Sequence, residues 1–175
     1  VAVTGLAYDS RQVQPGCLFA ALRGVTSDGH AHIGDAIARG ASSVLSEEPI
    51  DAESVTSIVS EDSRQALARA ARVFFGDPAE QLTMVGVTGT NGKTTTALIV
   101  EGVLRAAGKR AGVIGTLGAR FEGELTDTGL TTPQSVELVK LLSSMQESGA
   151  TAAVMEVSSH ALVQHRTSGL SFDVG

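Results

Sequence analysis

The sequence predicts an α/β protein in two parts: a small N-terminal α/β domain over residues 1–81, then the first part of a parallel-sheet domain over residues 82–175. Three observations carry that reading. Strand-like and helix-like runs alternate from residue 83 to residue 157, the order that builds a parallel sheet with helices on its faces. The loop Thr88-Gly89-Thr90-Asn91-Gly92-Lys93-Thr94-Thr95-Thr96 stands between the first strand and the first helix of that series. Gly76-Asp77-Pro78 breaks the chain just before the series starts, which places the boundary near Gln81.

In the first part, Val13-Gln14-Pro15-Gly16 is a turn and Cys17 to Leu22 a strand-like run. Arg23 to Ala31 is a polar loop, and Ile33 to Arg39 reads as a short helix stopped by Gly40. Ser43-Val44-Leu45 and Ser57-Ile58-Val59 are short strands. Asp62 caps a helix that runs through Phe75, with Gln65 at the capping-box position and Gly76 at its end. In the second part the pattern gives strand 83–88, helix 93–107, strand 111–115, helix 134–148 and strand 152–157. Gly108 and Gly149 fall where helix C-caps belong. Leu170 to Gly175 reads as the opening of another strand, and the first methionine is Met84, so the sequence is expected to be a piece of a longer chain.

The loop has the chemistry of a phosphate cradle. Small residues let backbone N–H groups turn toward an anion, and the following helix adds its positive end. Gly89, Thr90, Asn91, Gly92, Lys93, Thr94 and Thr95 would surround a nucleoside triphosphate, with Lys93 on the terminal phosphates and the Thr94 hydroxyl on Mg²⁺. The first glycine of the general pattern is replaced by Val87, which argues against an ordinary kinase or switch GTPase. An inert turn would have little use for a lysine and three threonines at a helix start. The loop, Thr116 and Glu156-Val157-Ser158-Ser159 all fall at carboxyl ends of strands, where open α/β sheets bind ligands.

Composition excludes other classes. A net charge of −6, no basic stretch and 3% aromatics equip the chain poorly for nucleic acid. No apolar run approaches the ~20 residues of a membrane span, and no signal-peptide pattern opens the sequence. The one cysteine, Cys17, sits in a strand pattern and reads as core, which fits a reducing compartment. A cytoplasmic monomer with no membrane insertion is expected.

Four segments together resemble the Mur ligases, ATP-dependent amino acid ligases of bacterial cell-wall synthesis. Gly89-Thr90-Asn91-Gly92-Lys93-Thr94 is similar to the phosphate loop of that family, a form also found in folylpolyglutamate synthases. Asp9-Ser10-Arg11-Gln12-Val13-Gln14-Pro15-Gly16 resembles the nucleotide-sugar-binding start of two of its branches. Leu130-Thr131-Thr132-Pro133 and Met155-Glu156-Val157-Ser158-Ser159-His160-Ala161-Leu162 resemble the MurE branch in particular. The resemblance implies that residues 1–81 bind a UDP-sugar and residues 82–175 bind ATP as substrate. It implies addition of diaminopimelate or lysine to UDP-N-acetylmuramoyl-L-alanyl-D-glutamate through an acyl phosphate. Lys93 and Glu156 would be catalytic, and Thr94 and Glu156 would hold Mg²⁺. Ser10 and His30 would contact the uridine end, and Thr131, Thr132, Ser158, Gln164 and Arg166 the muramoyl dipeptide.

Plainer roles stay open for several of these. Ser10 could cap the turn before Pro15, Thr132 could be a helix N-cap with Pro133 at the first helical position, and Glu156 could be a solvated charge. His160 and His165 suit structural hydrogen bonds better than a metal or acid–base role, and His30 and His32 lack the companions of a zinc site. The family pattern includes a carbamylated lysine, whereas Lys93, Lys109 and Lys140 are the only lysines here. The chain alone is therefore expected to be an inactive part of such an enzyme. A related folylpolyglutamate synthase-like ligase and a pure nucleotide-sugar-binding module are the alternatives.

Overall fold

The computed structural model describes residues 2–24 and 27–175, so two residues of the predicted polar loop, 25 and 26, lie outside the described residues. The chain divides into two compact units, Val1–Ala70 and Ala71–Gly175. The division falls inside one helix, Ser63–Phe74.

The first unit holds four parallel strands in sequence order: β1 (Leu6–Ala7), β2 (Leu18–Ala20), β3 (Ser43–Ser46) and β4 (Thr56–Val59). Helix α1 (Ile33–Ala38) joins β2 to β3, and its Ile33, Ala36 and Ile37 meet Phe19, Ala21 and Val44 in one apolar cluster. Cys17 belongs to that cluster and is buried, as its strand pattern suggests. The strand is shorter than the predicted run from Cys17 to Leu22, and β1 was not foreseen. Helix α2 (Ser63–Phe74) starts where predicted: Asp62 Oδ1 accepts from the Gln65 N–H at 2.9 Å, satisfying one of the free donors of the first turn.

The second unit has a five-stranded sheet in the order β5 (Thr83–Val87), β9 (Ala152–Glu156), β6 (Ala111–Gly115), β7 (Gly118–Phe121), β8 (Glu124–Thr126). The first three are parallel, with β9 between the other two. Alternation within them assigns the two faces. Val85, Val113 and Val154 pack with Ala97 and Leu98 of α3 (Lys93–Ala106). Met84, Ile114, Ala153 and Met155 point the other way, onto Leu138, Leu142 and Met145 of α4 (Ser135–Glu147). Helices thus cover both faces, as a parallel sheet requires.

Two features correct the expectation. An antiparallel hairpin, β7–β8, extends the parallel sheet, turning through Glu122 and Gly123 at φ 50° and 89°. Two consecutive positive φ values are the two-residue turn that suits the twist of paired strands. A five-residue helix α5 (Ser159–Val163) follows β9. The last residues run beside β5, where Val174 bridges Val85 in parallel, as the strand-like tail suggests.

Candidate active site

The loop after β5 is built as a phosphate cradle. Gly92 caps α3 at φ 81°, a left-handed conformation that costs glycine little and any other residue more. The loop residues are small, so the N–H groups of the first helical turn are not screened, and the helix dipole adds to their positive field. Lys93 Nζ donates to the Gly89 carbonyl at 2.7 Å, which draws the side chain back along the loop.

The neighbouring strand brings the acid. β9 pairs with β5 so that Glu156 lies opposite Val87, the last residue before the loop. Glu156 is 1% exposed, so it is not a solvated charge. Thr116, at the end of β6, holds its carboxylate twice. The Thr116 N–H donates to Oε1 at 2.9 Å and the Thr116 hydroxyl to Oε2 at 3.1 Å. The Thr131 hydroxyl lies 3.0 Å from the Thr116 hydroxyl. The single Thr116 proton is committed to Glu156, so Thr131 is the donor in that contact. Gly115 supplies the space. A Cβ there would sit 2.8 Å from the Glu156 carboxyl carbon, so any other residue would displace the carboxylate from this position.

These elements enclose a cleft of about 350 Å³ lined by Thr90, Asn91, Gly92, Lys93, Thr94, Thr95, Thr116, Thr131, Glu156 and Ser158. Most of the residues singled out in the second unit therefore meet in one place. Four do not line it: Gly89, whose carbonyl instead takes the Lys93 side chain, and Thr132, Gln164 and Arg166. Thr132 is buried, its hydroxyl donating to the Glu156 carbonyl at 2.8 Å and accepting from the Ser158 N–H at 3.1 Å. The Arg166 guanidinium donates to the Thr132 carbonyl at 2.8 Å and to Gln164 Oε1 at 2.6 Å. Gln164 in turn meets His160 Nε2 at 2.8 Å. His165 bonds the Ser168 hydroxyl at 2.9 Å. Both histidines thus make the structural contacts expected of them.

Two capping roles move by one or two residues. Thr132 is not the cap of α4; Gln134 occupies that position without a side-chain bond, because the Thr132 hydroxyl is already used on β9. The second is the turn before Pro15, described below, and the unforeseen helix α5 has its own cap in Ser158, whose hydroxyl accepts from the Ala161 N–H.

In the first unit, Asp9, not Ser10, caps the 3-10 turn Ser10–Gln12, its carboxylate accepting from the Arg11 N–H at 3.0 Å. The Arg11 guanidinium, which Asp9 also binds, and then that N–H hold the Asp9 carboxyl down at about 2. Ser10 itself is buried at 7% exposure. His30 is fixed at both ring nitrogens. Nδ1 lies 2.7 Å from Asp28 Oδ1, and Nε2 accepts from the Glu47 N–H at 3.3 Å. That pairing selects the tautomer protonated on Nδ1. The His30 N–H and then its ring also hold the Asp28 carboxyl below its ordinary range.

Sequence reasoning placed Thr116 at a strand end without giving it a role, and it passed over Gly115. The available signal was a glycine closing an apolar strand directly before a hydroxyl residue, opposite the strand that ends in Glu156.

The glycine-bounded loop between a parallel strand and a helix defines a P-loop α/β protein. Comparison with known proteins narrows the class. Residues 87–175 match the description "Mur ligase middle domain", and residues 2–71 match "Mur ligase family, catalytic domain". The chain belongs to the Mur ligase family. It is 47% identical over 174 residues to a UDP-N-acetylmuramoyl-L-alanyl-D-glutamate--2,6-diaminopimelate ligase of Geobacter metallireducens, covering 99% of this chain and 34% of that protein. It is 48% identical over 171 residues to the ligase of the same name from Solibacter usitatus, covering 97% and 35%. The chain thus spans about a third of the length of the curated relatives it matches. A solved structure of a ligase of that name superposes with a TM-score of 0.80 at 32% identity, over 95% of this chain and 34% of that one. The MurF ligase of Thermotoga maritima, solved in complex with ADP, superposes at 0.58 and 25% identity, over 87% and 31%. Among the described residues, no helix is long and apolar enough to cross a membrane.

Proposed function

We propose that this chain is the sugar-nucleotide- and ATP-binding part of a ligase that adds the third residue to UDP-N-acetylmuramoyl-L-alanyl-D-glutamate. The observation that carries the proposal is the single cleft in which the phosphate loop meets the buried carboxylate of Glu156 and the hydroxyls of Thr116, Thr131 and Ser158. The names of the relatives favour diaminopimelate over lysine as the incoming amine.

The chemistry follows from what a carboxylate lacks. Its negative charge repels an amine, and oxide is a poor leaving group. In the first step an oxygen of the D-glutamate side-chain carboxylate bonds to the γ-phosphorus of ATP while the bond to ADP breaks. In the second, the amine attacks the acyl phosphate, phosphate leaves and the nitrogen loses a proton. The transition state needs alignment and charge neutralisation more than covalent help. Lys93 supplies a positive charge at the terminal phosphates, and Gly89, Thr90, Asn91, Gly92 and Thr95 supply the loop that seats them.

A divalent cation would neutralise further charge there. Thr94 and Glu156 are the residues that would hold Mg²⁺. The donor set fits: both offer hard oxygen and both line the cleft. Mg²⁺ commonly takes one or two protein oxygens and completes its shell with water and phosphate.

Residues 1–81 are assigned the UDP-sugar, with Ser10 and the Asp28–His32 loop at the uridine end. There His30 acts with its ring nitrogens already engaged, through its ring face and its neighbours. Residues 82–175 are assigned ATP. Thr131 and Ser158 line the cleft for the dipeptide arm, while Thr132, Gln164 and Arg166 shape it from behind. A cytoplasmic location and a monomer belong to the same proposal.

Calorimetry on this chain tests the assignment with two ligands, ATP with Mg²⁺ and UDP-N-acetylmuramoyl-L-alanyl-D-glutamate. Both should bind. Lys93→Ala should weaken ATP by about tenfold or more while leaving the sugar nucleotide within about twofold, because only the phosphates face that charge. A folded chain giving no heat with either ligand would sink the proposal, as would an equal loss of both.

A further inference from the structure

We infer that Thr116 is the positioning residue that sets the Glu156 carboxylate for a nucleotide-bound divalent cation. This rests on the proposed role of Glu156, and it concerns a residue to which that role assigns nothing.

The geometry is specific. A glutamate has three rotatable bonds, so an untethered Glu156 could turn its carboxylate several ways. Here both oxygens are bound by one residue, the first after the nearby strand β6, Oε1 by the Thr116 N–H at 2.9 Å and Oε2 by the Thr116 hydroxyl at 3.1 Å. Two bonds from one residue directly after a buried strand fix both the position and the plane of the carboxylate. Gly115 removes the one side chain that would occupy the same space.

The clamp is linked onward. Thr131 donates to the Thr116 hydroxyl at 3.0 Å, so Thr116 stands between Glu156 and a hydroxyl that lines the same cleft. The Thr116 proton goes to the carboxylate and the Thr131 proton to the Thr116 oxygen. The order Thr131 to Thr116 to Glu156 is therefore set by the acceptor at its end.

The test separates this inference from the role of Glu156. The affinity of the chain for β,γ-imido-ATP is measured once with EDTA and once with saturating Mn²⁺. The ratio of the two dissociation constants reports how strongly the site uses the cation. Thr116→Val keeps the N–H and the side-chain shape and removes the hydroxyl. It should lower that ratio by about tenfold, the size of a lost hydrogen bond to a charged group, and leave the EDTA value unchanged. Thr116→Ser should restore the wild-type ratio. Should Thr116→Val fail to show a cooperative unfolding transition, Thr116→Ala is read in its place by the same criteria. Glu156→Gln is the reference. If it lowers the ratio and the Thr116 variants do not, Thr116 has no positioning role and the inference is overturned. If Glu156→Gln leaves the ratio unchanged, Glu156 holds no cation and both readings fall. A loss with Thr116→Ser equal to that with Thr116→Val also overturns it, because the hydroxyl would then not be the cause.

Discussion

Replacing Thr132 with valine keeps the shape of a buried side chain and deletes one hydroxyl, which makes it a clean probe of how the cleft is held. Thr132 is 1% exposed, and its hydroxyl joins two backbone groups of the β9 end, the Glu156 carbonyl at 2.8 Å and the Ser158 N–H at 3.1 Å. Valine leaves both without that partner. Each of the two polar groups stripped of its bond costs about 1–3 kcal/mol, and the extra methyl of valine returns somewhat less than 1 kcal/mol, so the net loss should be about 1–5 kcal/mol. For a unit of this size each kcal/mol moves Tm by about 4–8 °C, giving a drop of at least about 4 °C and about 18 °C at the middle of the range. Urea denaturation followed by far-UV circular dichroism measures the loss, and an unchanged slope shows that the same surface is exposed. Thr132→Ser keeps the hydroxyl and should lose only about 1 kcal/mol for the missing methyl. A valine variant within about 0.5 kcal/mol of wild type would refute the reasoning. The hydroxyl would then be spare and available to a ligand, and Thr132 would be a contact residue before it was a strut.

Three further outcomes are expected. Arg120→Met should cost about 2 kcal/mol in the same denaturation assay, because it leaves buried Glu101 with the more distant Arg105 at 3.7 Å; the half-exposed Arg120 keeps the loss below that of a fully buried pair. The Asp9 carboxyl should titrate at about 2 by NMR, and Arg11→Ala should return it toward 3.8. Since its folded value is depressed, the stabilisation it gives is present above 3.8 and is lost as pH falls from there toward about 2. Mixed with ATP, Mg²⁺, the UDP-muramoyl dipeptide and diaminopimelate, this 175-residue chain should form no tripeptide product, because phosphoryl transfer needs several charges fixed at once and the chain spans about a third of its relatives.

The parts of the fold legible in the sequence were those with a long period or a strong stop. The α3 and α4 helices and the strands beside them each carry an apolar repeat, and Gly108 and Gly149 close the two helices with φ 82° and 90° as read. The short elements were not legible. β1 is two residues long, and the β7–β8 hairpin turns on Glu122, a residue that seldom takes positive φ and so gives little warning. Its partner Gly123 was the available signal, and the alternating pattern expected of a half-exposed strand is blurred there because Gly118 and Ala119 carry almost no side chain to read.

The site divides along the same physical line. The phosphate loop could be read from residue types alone, because its chemistry comes from local features: small side chains, a lysine and a helix start in nine consecutive residues. The clamp on Glu156 could not, because it is made by register. Thr116 reaches the carboxylate only because β9 lies between β5 and β6, and that order is not written in any one segment. Had β6 lain beside β5 instead, the same residues would have put Glu156 on an outer strand, away from the loop. Gly115 shows the consequence most plainly. As a strand residue glycine is a poor choice, lacking a side chain to pack and losing more backbone freedom than any other. Its place is explained only by an atom forty-one residues away in sequence, the carboxylate for which it leaves room. A glycine that local structure does not need, at the end of a buried strand, is therefore a mark of something brought close by topology, and here that something is the acid of the candidate site.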